Sequence, residues 1–428
     1  MNPTAIEGYL KLVLIQWMLI IGVAWCFGRL GRRLGQPLAV GEIFAGILLG
    51  PSALGALWPD GLHWLFPVES QHTMQVLAKV GLIFLMFQVG MEFDFGHLTS
   101  RSRTVTAVSL LGIAAPVAGG LLLAPWLHRT FAPDTNRFGF ILFICIAMSI
   151  SALPIMGRIL LEMKLERTVL GALSISSAAI DDVVGWVALA VATALVTTGF
   201  SGPALLLQAG GVLALLLALL FLVGPWLQRV WQKSSDNGER AGMSANFLAL
   251  LLLVLFTCCL ITNKLGVFSI FGAFLFGVSL HKEVTLVKAW REKFQNFVLV
   301  ALVPIFFTNT GLRTEVGSLQ SGAGWLGCAL VLLVAVAGKL GGCFVGARLT
   351  GQDTRTSACI SALMNTRALM GLVAINVGLE LGLLNKELFT MFVIMALLTT
   401  VMCGPLLRWW LPRELKELER ATGTPARN

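Results

Sequence analysis

Ile43-Phe44-Ala45-Gly46-Ile47-Leu48-Leu49-Gly50 returns 227 residues later as Ile270-Phe271-Gly272-Ala273-Phe274-Leu275-Phe276-Gly277. The match does not stand alone. Gly90-x-x-x-Asp94 is echoed by Gly311-x-x-x-Glu315 after 221 residues, and Met148-x-x-x-Ala152-Leu153 by Met364-x-x-x-Ala368-Leu369 after 216. Singly, such matches are within the reach of chance, and small-residue spacing often means only close helix packing. Kept in order along the chain, they predict that the first six apolar runs repeat as the last six, with one run between as linker. Six helices plus one linker is an odd number, so the two halves enter the membrane with opposite orientation. Inverted repeats are a signature of secondary transporters, whose sites lie near mid-membrane where discontinuous helices meet.

The composition agrees. Of 428 residues, 57% are hydrophobic and 12% charged, with mean hydropathy +0.84. A soluble domain carries about 25% charged residues, so this chain cannot coat a globule of its size. That excludes a soluble enzyme, a disordered chain and a nucleic-acid binder, despite the net charge of +9. At about 20 apolar residues per crossing, charge, proline and glycine divide the chain into thirteen expected helices. They are 9–28, 36–55, 73–92, 102–124, 137–161, 166–197, 203–225, 243–262, 266–281, 292–312, 319–348, 355–382 and 386–410. The expected fold is an all-α polytopic membrane protein with six-helix inverted repeats and two discontinuous crossing helices.

Of the 31 basic residues, 22 fall on one side of this arrangement, 6 on the other, and Lys79, Lys339 and Arg367 lie within spans. The positive-inside rule then places the N-terminus outside and the C-terminus in the cytoplasm. The eight cysteines lie in or beside apolar runs without a C-x-x-C pair and read as small buried hydrophobes. No histidine pair has metal-ligand spacing. The N-terminus lacks a basic n-region, so no cleaved signal peptide is expected.

An ionisable residue in mid-bilayer is expensive and by default functional. Asp181 and Asp182 interrupt the sixth span in Ser176-Ser177-Ala178-Ala179-Ile180-Asp181-Asp182-Val183-Val184-Gly185-Trp186, and Lys339 the eleventh. Adjacent helical residues point about 100° apart, so the two aspartates have different partners. One is expected to pair with Lys339, while the other stays open to an exchangeable ion. Taking a carboxylate out of water disfavours its charged form. A proton or a small cation then neutralises it, but not both, and this competition couples the two fluxes.

Breaks are expected beside this site. Ser149-Ile150-Ser151-Ala152-Leu153-Pro154 places a proline and two hydroxyls inside the fifth span, and proline removes a helix hydrogen bond. Met364-Asn365-Thr366-Arg367 places polar groups at the matching point of the twelfth. Arg367 has two open readings: it neutralises helix-end carbonyls, or it pairs with an acid such as Glu380. Glu42 and Ser177 are candidate pathway positions.

These residues resemble the monovalent cation:proton antiporter-2 family, and within it the bacterial relatives of the plant cation/proton exchangers. The likeness is carried by Gln36-Pro37-Leu38-Ala39-Val40-Gly41-Glu42, Leu49-Gly50-Pro51-Ser52, Ala179-Ile180-Asp181-Asp182 and Phe306-Phe307-Thr308-Asn309-Thr310-Gly311-Leu312. Asn365-Thr366-Arg367-Ala368-Leu369-Met370 and Leu388-Phe389-Thr390-Met391-Phe392-Val393-Ile394-Met395 carry it further. A glycine is usual where Ala368 stands, and a glutamate is common where Gly371 stands.

The resemblance implies dimer-domain helices in 1–97 and 229–316, and core ion-transport helices in 98–201 and 317–411. Residues 202–228 would form the linker helix and 412–428 a short cytoplasmic tail. It implies Asp182 as the carrier of Na+ and H+, Asp181 as the Lys339 partner, and the segments near Ser151 and Asn365 completing the site. The expected function is electrogenic Na+/H+ exchange by an elevator mechanism, serving pH homeostasis as a homodimer among membrane lipids, with the bacterial inner membrane as location. No cofactor and no cis nucleotide-binding domain are expected, only the transported H+ and Na+, or K+ or Li+. K+/H+ exchange is the alternative within the fold, and a sodium-coupled organic solute symporter the alternative of a different class.

Overall fold

The computed structural model describes residues 3–34, 36, 38–92, 102–163, 165, 168–197, 202–236, 243–319 and 321–411. Asp94 of the second repeat match and the 412–428 tail therefore lie outside the described residues. Every regular element among them is helical: α1 (Pro3–Arg33), α2 (Leu38–Leu49), α3 (Leu54–Leu57), α4 (Pro59–Leu65), α5 (Val68–Met91), α6 (Ser102–Phe131), α7 (Arg137–Ser149), α8 (Leu153–Glu162), α9 (Val169–Thr197) and α10 (Gly202–Ala218). Then come α11 (Gly224–Asp236), α12 (Ala245–Lys264), α13 (Ser269–Ser279), α14 (Val284–Trp290), α15 (Val303–Leu312), α16 (Gly322–Leu349), α17 (Thr354–Met364), α18 (Ala368–Glu380) and α19 (Lys386–Trp410).

Among the described residues, nine helices are long and apolar enough to cross a membrane, or ten if the segment bent by 43° between Val284 and Ser318 counts as one. The other three of the thirteen expected spans are built of shorter pieces: α7 with α8, α13 alone, and α17 with α18. Thirteen full-length crossings are therefore not what length and composition yield. Expected boundaries also move, the seventh span running on through α11 to Asp236 where 225 was expected. α6 runs through Pro116 and Pro125 to Phe131 instead of stopping at 124. In apolar surroundings, neighbouring helices re-satisfy the backbone groups that proline frees. The tenth span begins as early as Val284, and wider π-type turns at Arg291–Gln295 and Val298–Leu302 join α14 to α15.

The chain packs as two compact units. The first comprises Met1–Val23, Trp58–Asp94 and Ala190–Asn309. In it, α13 lies against α5 where Gly277 and Gly90 meet; a Cβ on either would strike the other helix's backbone. The second comprises Ala24–Leu57, Phe95–Leu189 and Thr310–Asn428. There Gly50 and Gly311 meet in the same manner, a Cβ on Gly50 falling 2.9 Å from the Gly311 carbonyl. Gly50 and Gly277 are sequence-matched, as are Gly90 and Gly311, so each unit joins one glycine from each half of the chain. The repeat read from sequence thus recurs as a repeated helix contact.

Residues 24–57 pack with the second unit, which also holds the aspartates. In that unit α6 lies along α16, because Gly342 admits the Leu111 backbone and Gly346 that of Ala107. The turn from α16 to α17 is set by two residues. Gly351 adopts φ 88°, the left-handed conformation that ends a helix and that glycine takes without strain. Asp353 then caps α17, its carboxylate accepting the Arg355 and Thr356 amides.

Candidate functional site

The fifth expected span breaks where predicted. α7 ends at Ser149, Ile150 is extended (φ −65°, ψ 134°), and α8 starts at Leu153. Pro154 is the second residue of α8, where its missing N–H costs no hydrogen bond. Continuing α7 through Pro154 would set the ring against the Ile150 carbonyl. The twelfth span breaks between Met364 and Ala368. Thr366 Oγ1 donates to the Leu363 carbonyl at 2.8 Å, and the Arg367 amide turns to Thr400 Oγ1 at 3.4 Å. Side-chain bonds of this kind compete with the helix ladder.

The broken ends meet the ionisable residues. Asp181, Asp182, Lys339 and Arg367 are all buried, at 1% exposure or less. Lys339 Nζ stands 2.5 Å from Asp181 Oδ2 and donates also to the Ser149 carbonyl at 2.7 Å. Ser151 Oγ lies 2.8 Å from the same Asp181 oxygen and 3.0 Å from the Met364 carbonyl, so its single proton joins either the carboxylate or the end of α17. Arg367 donates through Nη1 to the Met148 carbonyl and through Nη2 to Ala335 at 2.8 Å. The last turn of α7 therefore receives two cations, which complement the partial negative charge of a helix C-terminus. Arg367 takes the carbonyl-neutralising of its two open roles.

Asp182 is arranged differently. Neither of its oxygens has a hydrogen-bond partner among the described residues. The Leu153 amide, at the N-terminus of α8, is directed at this carboxylate without reaching hydrogen-bond geometry. The side chain of Asn365, 1% exposed, is likewise without a partner at both ends, as is Asp181 Oδ1. Buried polar groups are almost always paired, and the exceptions here gather both Asp182 oxygens, one Asp181 oxygen and both ends of the Asn365 amide in one unit. Among the described residues no three His, Cys, Asp or Glu side chains cluster to hold a resident metal ion.

Ser149 and Ser177 are buried in the same unit, as is Glu42 on α2. Ser149 Oγ donates to Ile146 within its own helix. The Ser177 carbonyl accepts from Ser109 Oγ at 2.8 Å, and Ser109 also flanks Asp181. Sequence reasoning passed over Ser109, since a serine near the start of an apolar helix carries no distinguishing signal. Thr400, which holds the Arg367 amide, was missed because a lone threonine inside an apolar helix carries no such signal either.

Residues 18–413 match the transmembrane sodium/hydrogen exchanger family. The chain belongs to that family. Its members are secondary transporters and not enzymes, which agrees with the membrane helices and with the resemblance carried by the paired aspartates. The chain is 36% identical over 402 residues to the Na(+)/H(+) antiporter NhaS4 of Synechocystis sp., covering 93% of this chain and 96% of that protein. It is 32% identical over 407 residues to Cation/H(+) antiporter 20 of Arabidopsis thaliana, covering 92% of this chain. It spans only about half of that plant protein, 48% of its length. Among solved structures it is similar to the sodium proton antiporter MjNhaP1 of Methanocaldococcus jannaschii, with a TM-score of 0.69 at 15% identity over 96% of this chain and 99% of that one. That likeness is one of fold.

Proposed function

We propose that the chain exchanges Na+ for H+ at Asp182, the two competing for one buried carboxylate. The observation that carries this reading is the contrast between neighbours: Asp181 is held by Lys339 and Ser151, while both Asp182 oxygens are buried and open. A bare carboxylate in such a place demands neutralisation, and either a proton or a partly dehydrated cation supplies it. Asn365 and the carbonyls at the broken helix ends are the oxygen groups such a cation would draw on.

The charges of the site set a stoichiometric rule. Lys339 and Arg367 balance Asp181 and Asp182 when both carboxylates are ionised. A proton or a Na+ at Asp182 then adds the same single charge, so exchange at Asp182 alone moves no net charge. Electrogenic exchange, which this reading includes, requires a further proton at the Asp181–Lys339 pair. In this reading the core helices of 98–201 and 317–411 carry the site between the two membrane faces as an elevator. The chain works as a homodimer through 1–97 and 229–316, in a bacterial inner membrane, with its C-terminus in the cytoplasm.

The test is a proteoliposome assay of proton movement driven by Na+, Li+, K+ or Rb+ across a pH series, with and without a clamped membrane potential. Exchange with Na+ that speeds when the potential is clamped supports the reading. Exchange with K+ alone replaces the cation. Sodium-dependent uptake of an organic solute without proton movement overturns it.

A further inference from the structure

Glu380, which the sequence offered as a partner for Arg367, lies instead in the electrostatic field of Arg313, just past the end of α15. Arg313 Nη1 also donates to Asn376 Oδ1 at 3.2 Å. Asn376 and Glu380 are four residues apart on α18, so one face of that helix presents both groups to the guanidinium. Asn376 Nδ2 donates twice, to Thr310 Oγ1 of α15 at 3.0 Å and to the Leu372 carbonyl of its own helix at 2.9 Å. The oxygen and the nitrogen of this amide are thus both engaged, with Asn376 at 8% exposure and Thr310 fully buried. A second tie follows a few residues on. The Glu315 amide donates to Thr390 Oγ1 of α19 at 3.2 Å, and that hydroxyl lies 3.3 Å from the Glu315 carbonyl.

These ties differ in kind from the packing elsewhere in the second unit. α6 and α16 press backbone against backbone at Gly342 and Gly346, a contact that opens only if the core unpacks. The backbones of α15 and α18 scarcely meet, and polar side chains join them. A side-chain hydrogen bond contributes a modest net amount, because water replaces it on separation. Bonds of this strength hold two helices together and still release them within a working cycle. In the division given under Proposed function, Thr310, Arg313 and Glu315 belong to the stationary 229–316 segment, and α18 and α19 to the core that moves. α18 starts at Ala368, at the break that holds Asn365, and Asn376 lies about 12 Å further along it.

We propose that Asn376, with Thr310 and Arg313, forms a latch on the route to Asp182 from the membrane face at which α18 ends, and that the latch parts when the site opens there. In the topology given under Proposed function this is the outer face. Asn376 is then a positioning residue and not an ion ligand. Its effect on cation affinity rests on the exchange reading; its effect on access to α18 does not.

The test uses the full-length chain in cells and in vesicles, with Cys26, the only exposed cysteine among the eight, replaced by serine. Leu372, fully buried and one turn nearer the break than Asn376, is changed to cysteine as the probe. The same chain with Leu372 retained is the control for the buried cysteines. A membrane-impermeant thiosulfonate added at the face where α18 ends is expected to label the Leu372→Cys chain slowly. Adding Asn376→Ala removes both bonds to Thr310 and Arg313 and should raise the labelling rate about tenfold. Thr310→Val keeps the shape, removes one acceptor, and should raise it about threefold. A larger open fraction also lowers the apparent KM for the cation on that face by a similar factor. Labelling at the parent's rate in both variants overturns the latch, and if Asn376→Ala fails to fold, Thr310→Val alone decides. Faster labelling with an unchanged KM takes the latch off the route to Asp182 and overturns it too. A chain that exchanges no cation, yet is labelled faster in both variants, defeats the exchange reading and leaves the latch standing as a closure of that face.

Discussion

Lys339 holds two acceptors at once, the Asp181 carboxylate and the Ser149 carbonyl, with no exposure to solvent. Removing one partner of a buried ion pair leaves an uncompensated charge, which typically costs roughly 3–5 kcal/mol. Lys339→Ala is therefore expected to lower the thermal midpoint of the detergent-solubilised protein strongly. Adding Asp181→Asn should restore part of it, since the second substitution removes the charge that the first strands. Equal and additive losses would show that the pair is not coupled. At this scale the sequence was legible wherever a charge sat inside an apolar run, because that placement has no bland explanation. Asp181, Asp182 and Lys339 announced themselves in that way. Arg367 did so only in part: its partners are backbone carbonyls, which every residue has, so nothing in the sequence pointed to Met148 or Ala335.

Helix breaks and helix contacts follow a different rule. Pro154 and the Asn365-Thr366-Arg367 cluster marked the two discontinuities because each disturbs the hydrogen-bond ladder locally. Pro116 and Pro125 would have disturbed it equally by that logic, yet α6 runs through both, since the decision there rests with its neighbours. The π-type turns before α15 left no local mark at all. The glycine contacts give an element-scale prediction. Gly277→Ala forces a Cβ into the Phe87 carbonyl and should destabilise by about 1–3 kcal/mol. Gly22→Ala on α1 meets nothing within 4 Å and should be neutral or stabilising. Thermal unfolding of the two variants side by side checks this, and equal behaviour would discount the contact. The Asp353 cap adds a pH dependence. The Thr356 side chain and the amides at the start of α17 hold its carboxyl below the usual range. A depressed group stabilises above the ordinary carboxylate range, and that contribution is lost as pH falls through its lowered value. Asp353→Ala should thus cost about 1 kcal/mol near neutral pH. The difference from the parent should shrink in acid, as read by thermal midpoints across pH.

Over the whole molecule, the sparse charge has a pattern that fold and site both depend on. The small charged fraction excluded a soluble protein, and the lopsided basic residues gave the orientation used in the topology. A reporter that fluoresces only in the cytoplasm, fused to the C-terminus, is expected to be bright, and a reporter active only outside is expected to be silent. The reverse would invert the topology. The all-helical architecture was readable before any coordinates, because it rests on long apolar runs, and the family resemblance because it rests on specific stretches such as Ala179-Ile180-Asp181-Asp182 and Asn365-Thr366-Arg367. Ion choice was not, because it depends on the distances among Asp182, Asn365 and the helix-end carbonyls once a cation is seated. Competition at Asp182 is the claim on which the rest depends. It is tested most directly by adding Na+ to the purified protein in weakly buffered detergent solution and following proton release. The account predicts release in step with cation binding, and its loss in Asp182→Asn. Cation binding without proton release, or undiminished release from Asp182→Asn, would contradict it.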